Sequence, residues 1–179
     1  MSVRTPDPNP GWLSNEELAE YRRRVPLVYV EAVPVRVGGL GEITEVGLLL
    51  RMTQNDEIVR SLVSGRVRIG ETIREALMRN LEKDLGPMAF PQLPSSPVPA
   101  AVGEYFPIPG ISPLVDPRQH AVSLVYVVPV TGSCEPSQDA LEVSWMTPQK
   151  ALSQEIGLDL EGGRASLLAT ALATVGVVR

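Results

Sequence analysis

The chain has 179 residues, enough for one domain with a substantial core, and a net charge of −5. That charge gives no general attraction to nucleic acid. The lone cysteine, Cys134, excludes an intrachain disulfide, and no charged and apolar leader pattern opens the chain, so the sequence reads as cytoplasmic.

Residues 1–13 are proline-rich and read as an extension, with Trp12 anchoring its exit. Ser14-Asn15-Glu16-Glu17 is a capping-box pattern that starts a helix running to about Arg24. The Arg22-Arg23-Arg24 run complements the dipole at that helix's end. Pro26 opens the domain proper, so the chain divides into an extension with a short helix (1–25) and one domain (26–179). Leu27 to Val37 is strongly β-prone. The Gly38-Gly39 and Gly41 turn then leads into a second strand, Glu42 to Met52, and Ile58 to Val63 makes a third.

Ser64 to Glu71 is a glycine-punctuated loop. Beyond it Ile73, Leu77, Leu81 and Leu85 form one apolar stripe of an amphipathic helix, stopped by Gly86-Pro87. A helix entered through such a loop offers free N–H groups to a phosphate. Nine of the seventeen prolines follow between Pro87 and Pro117, around one strand, Ala100 to Phe106. A segment of that length is a lid or an interface. His120 to Val130 is apolar on both faces and belongs at the sheet centre. His120, the only histidine, stands at its entrance in a structural position. Leu141 to Met146 is a strand, and Thr147-Pro148 caps a helix over Gln149 to Gln154. Cys134 sits in a turn as a bystander. Arg164 to Val178 is an apolar terminal helix, too short to span a membrane. With the proline-rich segment it predicts a homodimer contact.

The loop and helix resemble the Nudix box. Gly65, Glu71, Arg79, Leu81 and Gly86 stand at its intervals, and Asp84 takes the place of its last Glu. Asn80, Lys83 and Pro87 depart from it. The late strand ending in Trp145 before a capped helix is a second likeness. Trp12-Leu13-Ser14, Gly65-Arg66-Val67 and Asp116 to Ser123 together are similar to a branch of Nudix-like proteins from GC-rich bacteria. The resemblance implies an α/β/α sandwich with a mixed central sheet and an N-terminal helical extension. It also implies a hydrolase of nucleoside diphosphate-linked compounds that uses Mg²⁺ or Mn²⁺.

Positions 80, 83 and 84 share a sector of about 100° on a helix. The family fills it with three carboxylates; Asn80, Lys83 and Asp84 bring its charge from −3 to about 0. Two readings follow. In the first, a hydrolase survives with a degenerate metal site: Asp84 and Glu82 as ligands, Glu71 as supporting carboxylate, and Arg79 orienting. In the second, the domain is a non-catalytic sensor of a nucleotide-like ligand, with Arg66, Arg68 and Lys83 binding phosphate directly. Glu71, Glu75 and Glu82 share a sector of about 40° and read as a solvated face or a displaced metal site.

Overall fold

The computed structural model describes residues 12–53, 55–136 and 140–177. The proline-rich reading of residues 1–13 therefore lies almost wholly outside the described residues. Helix α1 spans Asn15–Arg24. It carries the expected capping box, with Glu17 N–H donating to Ser14 Oγ at 3.2 Å and Ser14 N–H to Glu17 Oε2 at 2.8 Å. None of its residues is buried.

The described residues form one mixed sheet. Its strands are β1 (Leu27–Val37), β2 (Ile43–Met52), β3 (Ile58–Ser61), β4 (Val63–Arg66), β5 (Ala101–Phe106), β6 (Leu114–Val115), β7 (Ala121–Pro129) and β8 (Ala140–Met146). The order is β3-β2-β1-β7-β5-β6, with β4 pairing β1 and β8 pairing β2. β1 and β7 run parallel over nine paired residues, from Leu27–Ala121 to Val35–Pro129. β7, apolar on both faces, lies between β1 and β5, where both faces are covered.

One strand expected over 58–63 is two. Ile58–Ser61 pairs with β2, whereas Val63–Arg66 pairs with β1. β1 pairs with β2 only through Val35–Val37, which leaves Tyr29–Ala32 for β4. No Gly or Pro marks the switch at Leu62; the available partners set it. The single late helix is also two, α3 (Pro148–Ala151) and α4 (Gln154–Asp159), because Ser153 caps a second start at Ile156 N–H.

Alternation along β1 divides the core. Val30 and Ala32 face helix α2 (Ile73–Leu85), with Leu49, Val63, Leu77, Leu81, Leu85 and Tyr126. Val33 and Val35 face helix α5 (Arg164–Thr174), with Leu48, Leu62, Val125, Leu167, Leu168 and Leu172. Each buried Leu contributes about 2–3 kcal/mol of apolar transfer. α5 is less uniformly apolar in place than its composition suggests. Leu167, Leu168, Ala171 and Leu172 are buried, while Ser166, Thr170, Ala173 and Thr174 face outward. In the proline-rich segment Met88, Phe90, Val98, Ile108 and Ile111 stay exposed. No helix among the described residues is long and apolar enough to cross a membrane.

Candidate functional site

β4, the loop after it and α2 bring the box together. Thr72 caps α2, with Glu75 N–H donating to Thr72 Oγ1 at 3.2 Å and Glu75 Oε2 accepting from Thr72 N–H at 2.7 Å. Gly70 makes the turn before it at φ 77°, and Gly86 closes the helix at φ 86°. Arg79 is bidentate to Glu71, at 2.7 and 2.8 Å, and also donates to the Arg66 carbonyl at 2.8 Å. Arg68 N–H donates to the same Glu71 carboxylate at 3.0 Å. The hydrogen bond from Arg79 holds Glu71 below the usual carboxylate range. Glu71 and Arg79 thus tie the entry loop to α2.

The sector of Asn80, Lys83 and Asp84 is built as an internal ion cluster. Asp84 has no exposed surface, and its Oδ2 lies 2.8 Å from the Arg51 guanidinium and 3.4 Å from Ser64 N–H. Lys83 stands 3.5 Å from Asp84 Oδ1 and donates to the Ser64 carbonyl at 3.1 Å. Burial raises the Asp84 pKa, while the charges of Lys83 and Arg51 pull the other way. Asn80 is buried and donates to the Ala76 carbonyl at 2.8 Å. Its amide lies against Gly65, so that a Cβ there would fall 1.9 Å from Asn80 Oδ1. Gly65 is required for this close approach; its φ is not in the left-handed region. We expect Gly65→Ala to cost about 1–3 kcal/mol, because the buried Asn80 must leave its position. Urea denaturation measures this, and Asn80→Ala in the same chain should recover most of the loss. An undiminished cost in the double variant would mean that the clash lies elsewhere.

A divalent cation of the Mg²⁺ class needs several oxygen ligands converging on one point. Here Asp84 faces Arg51 and Lys83, Glu71 is held by Arg79, Glu75 caps the helix, and Glu82 is exposed on the outer side. Among the described residues no group of three or more His, Cys, Asp or Glu is arranged to hold a metal ion. The residues present do not fit Mg²⁺ or Mn²⁺ at the box.

Across β4 the opposite sheet face opens into a small polar pocket. Antiparallel partners share a face, and Tyr29, Glu31 and its partner Ser64 line it. Its floor is Glu31, almost fully buried, which accepts from Arg164 at 2.7 Å and from the Tyr105 hydroxyl at 2.9 Å. Burial, and then the Glu31 charge, push the Tyr105 hydroxyl pKa up, so it stays a donor. The wall comes from the Asp116–Ser123 segment. Asp116 binds Arg118 through two bonds of 2.9 Å and accepts from Gln119 at 2.8 Å. Burial pushes the Asp116 pKa up, but the bonds from Arg118 and Gln119 outweigh it and leave it below the usual range. Ser123 is fully buried, and its Oγ has no hydrogen-bond partner among the described residues.

His120 stacks on Phe106 with centroids 4.4 Å apart and does not line this pocket. Cys134 is half-buried, and burial raises its thiol pKa, consistent with an inert side chain. Sequence reasoning missed the pocket floor and Arg51. One signal was available: Glu31 is the only acidic residue in the apolar run from Leu27 to Val37. Arg164 and Arg51 gave none, since both are arginines at element ends.

The profile of DUF4916, a domain of unknown function, matches residues 8–177. The chain belongs to this family. A solved structure from Jonesia denitrificans DSM 20603, described as a possible asymmetric diadenosine tetraphosphate hydrolase, is 52% identical. The match covers 87% of this chain and 98% of that one, with a TM-score of 0.84. A Nudix hydrolase from Nitrosomonas europaea shares the fold at 13% identity, covering 86% and 93%, with a TM-score of 0.63. The Nudix domain of NrtR from Shewanella oneidensis, solved with ADP-ribose, shares it at 16% identity, covering 91% and 99%, with a TM-score of 0.61. No curated protein matches the chain. This DUF4916 protein thus has the Nudix fold, an α/β/α arrangement on a mixed sheet, and its Glu71 and Asp84 are paired with protein cations.

Proposed function

We propose that this DUF4916 protein binds a nucleoside diphosphate-linked ligand in the pocket beside β4, and that it acts as a sensing or interaction domain without box-metal hydrolysis. The observation that carries this reading is the Arg51–Asp84–Lys83 cluster. It places two cations where metal-dependent chemistry needs anions, and a buried ion pair of this kind is costly to open. The pocket supports the binding half. Ser64, which lines it, is the residue whose backbone meets both Asp84 and Lys83, so ligand contacts there are felt at the box.

One observation favours the hydrolase reading instead. The 52% identical neighbour is described as a possible diadenosine tetraphosphate hydrolase. The two readings separate in one experiment. The protein is incubated with ADP-ribose and with diadenosine tetraphosphate, each with Mg²⁺ or Mn²⁺. Nucleotide release is followed by chromatography, and binding by calorimetry. We expect binding without turnover. Metal-dependent release of nucleotide products would overturn the non-catalytic reading, and absence of any binding would overturn the pocket assignment.

A further inference from the structure

We propose that the pocket beside β4 receives an uncharged, hydroxyl-bearing part of the ligand, the sugar of a nucleotide and not its diphosphate, with Ser123 Oγ as the group that fixes it. The inference rests on the nucleotide-ligand reading above and adds which moiety enters the pocket.

The lining carries no surplus charge. Its ionised side chains are Glu31, Asp116, Arg118 and Arg164, which sum to zero. Each is matched within the pocket: Arg164 lies 2.7 Å from Glu31, and Arg118 lies 2.9 Å from Asp116. Arg66 and Arg68 of the box entry do not line it. A phosphate entering here would have to draw an arginine from a carboxylate already bonded to it, and its own charge would then face that carboxylate. An ionised phosphate oxygen only accepts hydrogen bonds, and so do Glu31 and Asp116. A sugar hydroxyl is uncharged and does both, so it can donate to a carboxylate while accepting from a hydroxyl. Glu31 keeps room for such a donor. It accepts from Arg164 on Oε1 at 2.7 Å and from the Tyr105 hydroxyl on Oε2 at 2.9 Å, whereas a carboxylate offers about four acceptor sites. Arg164 belongs to α5 and Tyr105 to β5, so three elements, with β1, hold this floor in place.

Ser123 is the second, independent observation. It stands beside Tyr29 in the β1–β7 ladder and lines the pocket. The residues two places away on the same face of β7, Ala121 and Val125, are apolar and buried. Ser123 itself has no exposed surface, and its Oγ has no hydrogen-bond partner among the described residues. A buried hydroxyl left unpaired costs about 1–3 kcal/mol, which an alanine at this position would avoid. A hydrogen bond made when the pocket is filled accounts for its presence, since buried polar groups are normally satisfied.

The test uses the full chain, wild type and Ser123→Ala, titrated by calorimetry with ADP-ribose, ribose 5-phosphate and inorganic pyrophosphate in buffer containing Mg²⁺. Thermal unfolding of both proteins is recorded without ligand. We expect ADP-ribose and ribose 5-phosphate to bind and pyrophosphate not to. Ser123→Ala should weaken both sugar-bearing probes about five- to tenfold, the loss of one hydrogen bond. Its Tm without ligand should equal or exceed that of the wild type, because an unpaired buried hydroxyl is removed. Ribose 5-phosphate binding that Ser123→Ala weakens, with no binding of ADP-ribose, would uphold the sugar pocket and overturn the nucleotide reading. ADP-ribose binding that Ser123→Ala leaves unchanged would overturn the sugar pocket and leave the nucleotide reading standing. Pyrophosphate binding weakened by Ser123→Ala would put phosphate in the pocket and overturn the inference. A Ser123→Ala protein that is less stable or does not fold would show that the hydroxyl already serves the fold, and would overturn it too. Absence of binding by all three probes would overturn both readings.

Discussion

Arg51→Ala should cost about 3 kcal/mol or more of folding stability at pH 7, because it leaves Asp84 buried without its 2.8 Å ion-pair partner. The effect should depend on pH. Asp84 already has a folded-state pKa above its ordinary 3.8, mainly through burial. A carboxyl whose pKa is raised on folding binds its proton more readily in the folded chain. Its burial therefore costs nothing when protonated in both states, and stability falls as pH rises from the unfolded value through the folded one. Removing Arg51 raises the folded pKa further and widens that window. Glu71 and Asp116 have lowered pKa values and lose stability as pH falls, but that contribution is common to both proteins and cancels in the difference. Urea unfolding of wild type and Arg51→Ala at pH 7 and near pH 4 measures the effect. The gap should be large at neutral pH and shrink in acid. Equal gaps at both pH values would show that Arg51 acts by packing and not by charge.

Asn80→Glu combined with Lys83→Glu should convert the box into a metal-dependent structure. Both substitutions place carboxylates beside buried Asp84, with Arg51 as the remaining close cation, and Lys83→Glu also removes the ammonium that holds the Ser64 carbonyl. Without metal the double variant should lose about 3 kcal/mol or more. With Mn²⁺ at a hundredfold excess over its Kd it should regain about 2.7 kcal/mol, a rise in Tm of roughly 5–10 °C for a chain of this length. Wild type should show no Mn²⁺-dependent shift. Thermal unfolding with and without Mn²⁺ checks both. A double variant that ignores the metal would mean that the close packing of Asn80 on Gly65 has taken the backbone out of ligating geometry.

Much of the box was legible because its determinants are local. The Ile73-Leu77-Leu81-Leu85 stripe, the Gly86 stop and the spacing of Gly65, Glu71 and Arg79 are set by helix period and glycine conformation, and the structure places α2 accordingly. The same is true of the Ser14 cap, which needs only Glu17, and of β7, whose two apolar faces demand a central position. The expected row of Glu71, Glu75 and Glu82 does not lie on one helix, because Glu71 precedes the Thr72 cap and sits in the entry loop. Their partners, however, were decided by what lay nearby: Arg79 for Glu71 and the Thr72 cap for Glu75.

What the sequence by itself determined is the set of elements with local signals and the loss of net charge in the 80–84 sector, since both depend on neighbours within two helical turns. Only the tertiary structure decided that Arg51, thirty-three residues away, would neutralise Asp84. It also split residues 58–66 between two partner strands and gathered Glu31, Tyr105, Asp116 and Arg164 around one pocket. The physical reason is common to these cases. A strand's partner and a buried charge's partner are chosen by long-range register, and register is fixed by which faces must be covered when the whole sheet closes its two cores.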